Sequence, residues 1–182
     1  KKPSGSMRNP GGSFGFAWGQ SSNDDIVALN RLLEKGYQVS WAADSFTAGG
    51  SMFPCGTMIA AEKNGLREEL HEISRELLVE FTGLDERPAV PQYRLKKTRL
   101  GVYQSWTASM DEGWTRFVLE QHEFPYQILH NEDIRAGNLN SKLDVILLPS
   151  MDNETVVEGL SEEDIPPEYA GAHSSRTPER RR

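Results

Sequence analysis

Arg99 to Pro149 decides the fold: Leu100-Gly101-Val102-Tyr103, then a polar break from Gln104, then Ser109-Met110-Asp111-Glu112. The first four residues form a short apolar run, which reads as a strand. Ser109 to Glu112 has the form of a capping box, with Ser109 accepting the Glu112 N–H and the Glu112 carboxylate reaching back. Trp114, Phe117, Val118 and Gln121 then recur at helical spacing, giving an amphipathic helix of roughly three turns. Pro125 closes the helical region, since its ring and missing N–H do not fit a helix interior. Tyr126-Gln127-Ile128-Leu129 reads as a second strand and Asp144 to Pro149 as a third, more fully buried one. Apolar strands joined by a helix imply a parallel sheet covered on both faces. The expected unit is β-α-β-β, the opening half of a doubly wound domain. Its ligands would sit beyond the strand ends, near Gln104 to Met110 and Ser150 to Asn153.

Working outward, the chain has 182 residues, enough for one domain or two small ones. A net charge of −7 argues against a nucleic-acid partner, which would want a basic stripe. The single cysteine, Cys55, excludes an internal disulfide and a cysteine-rich metal site. No apolar run approaches the ~18 residues that span a bilayer.

Lys1 to Ser13 is Gly/Pro/Ser-rich and reads as a flexible arm. Phe14 to Trp18 reads as a strand, and Ser22-Asn23-Asp24-Asp25 offers a cap and first-turn acids for a helix bearing Ile26, Leu29 and Leu33. Gly36 is placed to end that helix in the left-handed conformation. Tyr37 to Trp41 alternates apolar and polar as a strand with one wet face, so Phe14 to Trp41 is expected to be a further β-α-β unit. Gly49-Gly50 permits a tight hairpin between two short runs, and Pro54 confines the second to an edge or a strand start. Asn64 is expected to cap a long helix through Leu66, Leu70, Ile73 and Leu77 that stops before Gly83. Asp85 to Gln92, with two prolines, reads as a linker. The expected fold class is therefore α/β with two small lobes, the second an incomplete doubly wound, flavodoxin-like parallel sheet. The boundaries are an arm over 1–13, a lobe over 14–84, a linker over 85–93, a second lobe over 94–160 and a disordered tail over 161–182.

None of His71, His122, His130 and His173 sits in the i, i+4 pair that would put two imidazoles on one metal. His71 reads as a rim residue and His122 as a last-turn cation on the helix dipole. His130, ahead of Asn131-Glu132-Asp133, is a candidate for a ligand or metal contact and also fits an exposed polar cluster. Cys55 lacks a strand-to-helix elbow and reads as a partly buried structural thiol. Trp106, Asp111 and Glu112 cluster with Trp114 at the carboxyl end of the first strand. They are candidates for a ligand pocket or interface, against a plainer reading in which capping explains both acids and Trp114 is core.

Leu100 to Gln121, Phe124 to Leu139 and Asp144 to Pro149 together resemble the C-terminal region of large bacterial exported zinc carboxypeptidase-like proteins. Asn23-Asp24-Asp25 to Asn30-Arg31-Leu32-Leu33 and Phe53-Pro54-Cys55-Gly56-Thr57 carry the same resemblance, which spans about Phe14 to Tyr169. In that family a peptidase domain of the carboxypeptidase A type comes first and a domain similar to class I glutamine amidotransferases comes last. The resemblance implies export to the periplasm or beyond. It also implies zinc and peptide hydrolysis in a peptidase domain outside this chain, and that domain as a partner. The His-x-x-Glu zinc motif, the Gly-x-Cys-x-Gly elbow and the later His-x-Glu are all absent, so no catalytic, cofactor or metal residue carries over. The expectation is a non-catalytic C-terminal fragment of such a protein, with an amidotransferase-like ligand-binding or scaffolding module as the alternative. An open sheet edge adds an expectation of self-association.

Overall fold

The computed structural model describes residues 5–105, 108–152 and 166. In chain order the elements begin with β1 (Ser6–Arg8), β2 (Gly15–Trp18), α1 (Asn23–Glu34), β3 (Val39–Ala42), β4 (Phe46–Ala48) and β5 (Ser51–Phe53). They continue with β6 (Met58–Ala61), α2 (Leu66–Glu76), β7 (Glu80–Leu84) and β8 (Gln92–Arg94). The remainder is β9 (Leu100–Tyr103), α3 (Met110–Gln121), β10 (Tyr126–Leu129), α4 (Asn131–Ala136), α5 (Leu139–Lys142) and β11 (Val145–Leu147). The chain is thus mixed α/β.

The first ten elements, eight strands and two helices, centre on a six-stranded sheet of order β1-β7-β2-β6-β3-β8, with β4 and β5 forming a separate hairpin. Its four inner strands follow the β-α-β-β-α-β path with order 4-1-3-2, the split, ferredoxin-like arrangement. The β-α-β unit expected over Phe14 to Trp41 is therefore split: β6 lies between β2 and β3, antiparallel to both. Strand alternation explains why two layers form. Phe16, Trp18, Val39, Met58, Ala60 and Phe81 point to the helix side, where Leu32, Leu66, Leu70 and Ile73 bury against them. Ala17, Ala42, Ile59 and Leu84 point to the other side, covered by Phe46 and Phe53 of the hairpin. Trp18 and Phe81 meet edge-to-face at 5.5 Å, and each contributes roughly 1.5–3 kcal/mol by its burial.

Helix α1 starts as its sequence dictates. Ser22 Oγ accepts the Asp25 N–H, and Asp25 Oδ2 accepts the N–H groups of Ser22 at 2.8 Å and Ser21 at 2.9 Å. It ends at Gly36, φ +76°, with Tyr37 N donating to Leu32 O and Gly36 N to Leu33 O, the Schellman pattern. The most deeply buried residues of its apolar face are Val27, Ala28 and Leu32, while Ile26, Leu29 and Leu33 pack at its margin. Gly49 and Gly50, both with positive φ, close the β4–β5 hairpin.

Several expectations give way here. Ser6–Arg8, assigned to a flexible arm, is strand β1, paired in parallel with β7. Helix α2 is preceded by Gly65 at φ +83° rather than capped by Asn64, because the entry turn needs a left-handed residue. It stops at Glu76; of the residues expected to continue it, Val79 is fully buried just ahead of β7 and Phe81 fully buried within it. Gln92 and Tyr93, placed in a linker, and Arg94, placed at the start of the second lobe, form β8 and pair with β3 of the first lobe.

The second lobe is a three-stranded sheet of order β10-β9-β11, parallel throughout, with α3 between β9 and β10. This is the 2-1-3 opening of a flavodoxin-like order. Gly101 lets the layers close: a Cβ there would come within 2.5 Å of Leu129 Cδ1 and 2.9 Å of Leu143 Cδ1. Coverage of both faces fails. Val145 of β11 and the following Leu148 are exposed, so the third strand is not the buried one its composition suggests. A strand at the edge of three, with no further strand beside it among the described residues, leaves such residues in water. The apolar stripe of α3 is also outward: Trp114 is 60% exposed, and Met110, Phe117 and Val118 are exposed beside it. Trp114, offered as core, instead makes a T-shaped pair with Phe117 at 5.6 Å on the surface. The tail expected over 161–182 lies outside the described residues apart from residue 166.

Candidate functional site

The carboxyl ends of β9 and β10 converge where a parallel sheet of this kind takes its ligands. Gln104 N donates to Leu129 O, tying the segment after β9 to the end of β10. Beyond this tie lies a cleft of about 340 Å³ lined by Gln104, Ser105, Ala108, Ser109, Glu112, Gly113 and Arg116. Ser109 caps α3, accepting the Glu112 N–H at 3.2 Å. The reciprocal half of the expected capping box does not form. The Glu112 carboxylate turns instead toward Arg116, one helical turn on, with Oε1 2.7 Å from Nε.

Glu112 is 5% exposed. Its Oε1 and Arg116 Nε are close enough to attract as charges, yet neither has an aligned hydrogen-bond partner. The short separation and the missing bond are compatible, because an N–H pointing off the oxygen lone pairs gives Coulomb attraction without a hydrogen bond. A buried carboxylate oxygen in that state is under-satisfied and is an acceptor held in place. The N-terminus of α3 adds positive potential from its first N–H groups.

Of the residues singled out from sequence, Glu112 lines this cleft. Asp111 is exposed on the outer side of the first turn, where its carbonyl accepts the Thr115 hydroxyl at 2.7 Å. His130 borders the cleft through Gln104, with Nδ1 3.1 Å from Gln104 O. It also begins α4, where its N–H donates to Asp133 Oδ2 at 2.9 Å, so Asp133 serves the helix start. Trp106 lies outside the described residues, as does His173. Arg116 was not singled out; its i, i+4 spacing from Glu112 was the available signal. Cys55 is exposed rather than partly buried, its thiol donating to Ala43 O at 3.0 Å across the turn after β5. His122 follows the last residue of α3, and His71 is exposed on α2.

A second, larger concavity of about 430 Å³ lies between the lobes, lined by Asn30, Arg31, Glu34, Lys35, Lys97, Glu123, Phe124 and Pro125. Its charged groups are engaged with one another. Arg31 donates to Glu123 from Nε and Nη2, the latter at 2.8 Å, and to Glu76 from Nη1 at 2.6 Å. Lys35 meets Glu69, and Lys97 meets Glu34. The bonds to Glu123, and secondarily to Glu76, raise the affinity of the Arg31 guanidinium for its proton.

Among the described residues no group of three or more His, Cys, Asp or Glu side chains is arranged to hold a metal ion. The zinc implied by the resemblance would belong to a peptidase domain outside this chain. No helix among the described residues is long and apolar enough to cross a membrane. No protein-family model, no curated protein and no solved structure matches the chain.

Proposed function

We propose that this chain is the non-catalytic accessory region of a zinc metallocarboxypeptidase-like protein, and that its flavodoxin-like lobe binds a small zwitterionic ligand at the strand ends. Peptide hydrolysis is carried by a peptidase domain outside the chain. The observation that carries the binding half is the buried Glu112 carboxylate beside Arg116, close in charge but not hydrogen-bonded, lining the cleft at the start of α3. The Glu112 carboxylate suits an ammonium group, while the Arg116 guanidinium and the helix N-terminus suit a carboxylate. Ser105, Ser109 and Gln104 add neutral polar groups around them. An α-amino acid has both charges at that scale.

Calorimetric titration of the full chain with a panel of free amino acids, and with a neutral sugar as control, tests this half. Saturable binding of an amino acid, weakened about ten- to hundredfold in Glu112→Gln, is the expected result. Failure of every amino acid to saturate, or undiminished affinity in Glu112→Gln, overturns it.

The accessory half rests on the resemblance of Leu100 to Gln121 and Asn23 to Leu33. Sequencing the reading frame upstream of the codon for Lys1 tests it. An in-frame peptidase domain containing His-x-x-Glu is expected, and a frame without one leaves the ligand-binding module standing alone.

A further inference from the structure

Both hydrophobic core clusters draw their residues from the first lobe, ending at Leu95. None of their members comes from the second lobe, whose buried residues Leu100, Val102, Leu129 and Leu143 gather around its own sheet. Several polar contacts cross between the lobes. Asn30 Nδ2 donates to the His122 carbonyl at 2.8 Å. Arg31 grips Glu123 with two nitrogens, and Lys97, in the segment joining β8 to β9, pairs with Glu34 of α1. The Asn30 and Arg31 contacts join α1 to the turn that follows α3, where Glu123 adopts a positive φ of 55°, while the Lys97 contact ties α1 to the joining segment. The concavity of about 430 Å³ runs alongside them.

From this juxtaposition we infer that Asn30, Arg31 and Glu34 of α1 form an ionic latch that holds the second lobe against the first, and that releasing it frees the lobes to swing about Leu95 to Thr98. Half-exposed ion pairs are individually weak and are screened by salt, whereas a shared apolar core is neither. Glu123 is 42% exposed and Arg31 26%, so the latch sits where ions reach it. Glu76 braces Arg31 from α2 of the first lobe, accepting from Nη1 at 2.6 Å and helping to set the guanidinium plane toward Glu123. Among the described residues, the turn after α3 offers α1 the Glu123 carboxylate and the His122 carbonyl. Loss of either arm therefore leaves the other with little to restrain rotation.

The single cysteine makes the test direct. Nitroxide labels on Cys55 and on Glu132→Cys, an exposed position on α4, report the distance between lobes by electron–electron double resonance on the full chain. The parent protein at low salt is expected to give one narrow distance peak. Arg31→Ala, Glu123→Gln and the parent at about 1 M salt, where the screening length falls to ~3 Å, are expected to lose that peak to a broad distribution. Glu76→Gln, which weakens the brace while leaving both Arg31 bonds to Glu123 in place, is expected to keep it. An unchanged narrow peak in Arg31→Ala, or a broad distribution in the parent at low salt, overturns the latch.

Discussion

The two lobes use the same local devices and reach opposite outcomes. In the first, α1 and α2 carry apolar residues at helical spacing and bury them: Leu32, Leu66 and Leu70 are fully covered by a six-stranded sheet. In the second, α3 carries an equally regular stripe, yet Met110, Trp114, Phe117 and Val118 face outward over a sheet of three strands. The residue α3 buries is an acid, Glu112. A helix stripe is thus a demand for a surface, and whether it is met depends on strands supplied elsewhere in the chain. The first lobe meets the demand with β1 and β7, drawn from segments far apart in sequence.

Substitution at matched positions is the strongest way to break this contrast. Phe81→Ala should lower stability by about 3–5 kcal/mol, because it empties the centre of the larger core beside Trp18. Trp114→Ala, removing a larger ring, should change it by no more than about 0.5 kcal/mol. Urea unfolding of both variants checks the pair, and a Trp114→Ala cost near that of Phe81→Ala would mean the α3 stripe is covered in solution. Gly101→Ala tests whether the second lobe is tightly built where it is built at all. The new methyl would crowd Leu129 and Leu143, so a loss of about 1–3 kcal/mol is expected, read as early melting of this lobe's amide protection.

The caps should be equivalent. Ser22→Ala and Ser109→Ala each remove one side-chain acceptor from a helix start, at about 1 kcal/mol apiece. Amide exchange at α1 and α3 would show it, and a much smaller effect at α3 would sharpen the difference between lobes. The smallest expected effect is on acid sensitivity. Hydrogen bonds from the Arg99 side chain and backbone lower the Asp144 pKa from 3.8 to about 2. A depressed carboxylate stabilises the folded form above its unfolded pKa and loses that contribution as pH falls through its folded value. The second lobe should therefore loosen between about pH 4 and pH 2 in the parent and show no such step in Asp144→Asn, as followed by amide exchange at β9 and β11.

Legibility from sequence divides along the same line. Gly36, Gly49-Gly50 and the Ser22–Asp25 cap act through their own backbone, and each appears where its chemistry put it. Leu66, Leu70 and Ile73 announce a buried face because period alone reveals a stripe. Strand β7 escaped because Leu77 to Phe81 continues an apolar run straight out of α2, and periodicity cannot separate a short buried strand from more helix. Ser6–Arg8 and Gln92–Arg94 carry no local strand signal; pairing with β7 and β3 makes them strands. At the candidate site the cap and the two acids of α3 were legible. The Glu112 turn toward Arg116 was not, since an i, i+4 pairing and a capping box compete for one carboxylate and only burial decides between them.

The β1–β7 register also has a consequence in time. Ser6 lies beside Glu80, 74 residues later in the chain. A ribosome adding ~5–20 residues per second needs roughly 4 to 15 seconds to make that interval. For that whole period the first strand has no mate, and the sheet cannot be sealed on that side until its late partner emerges.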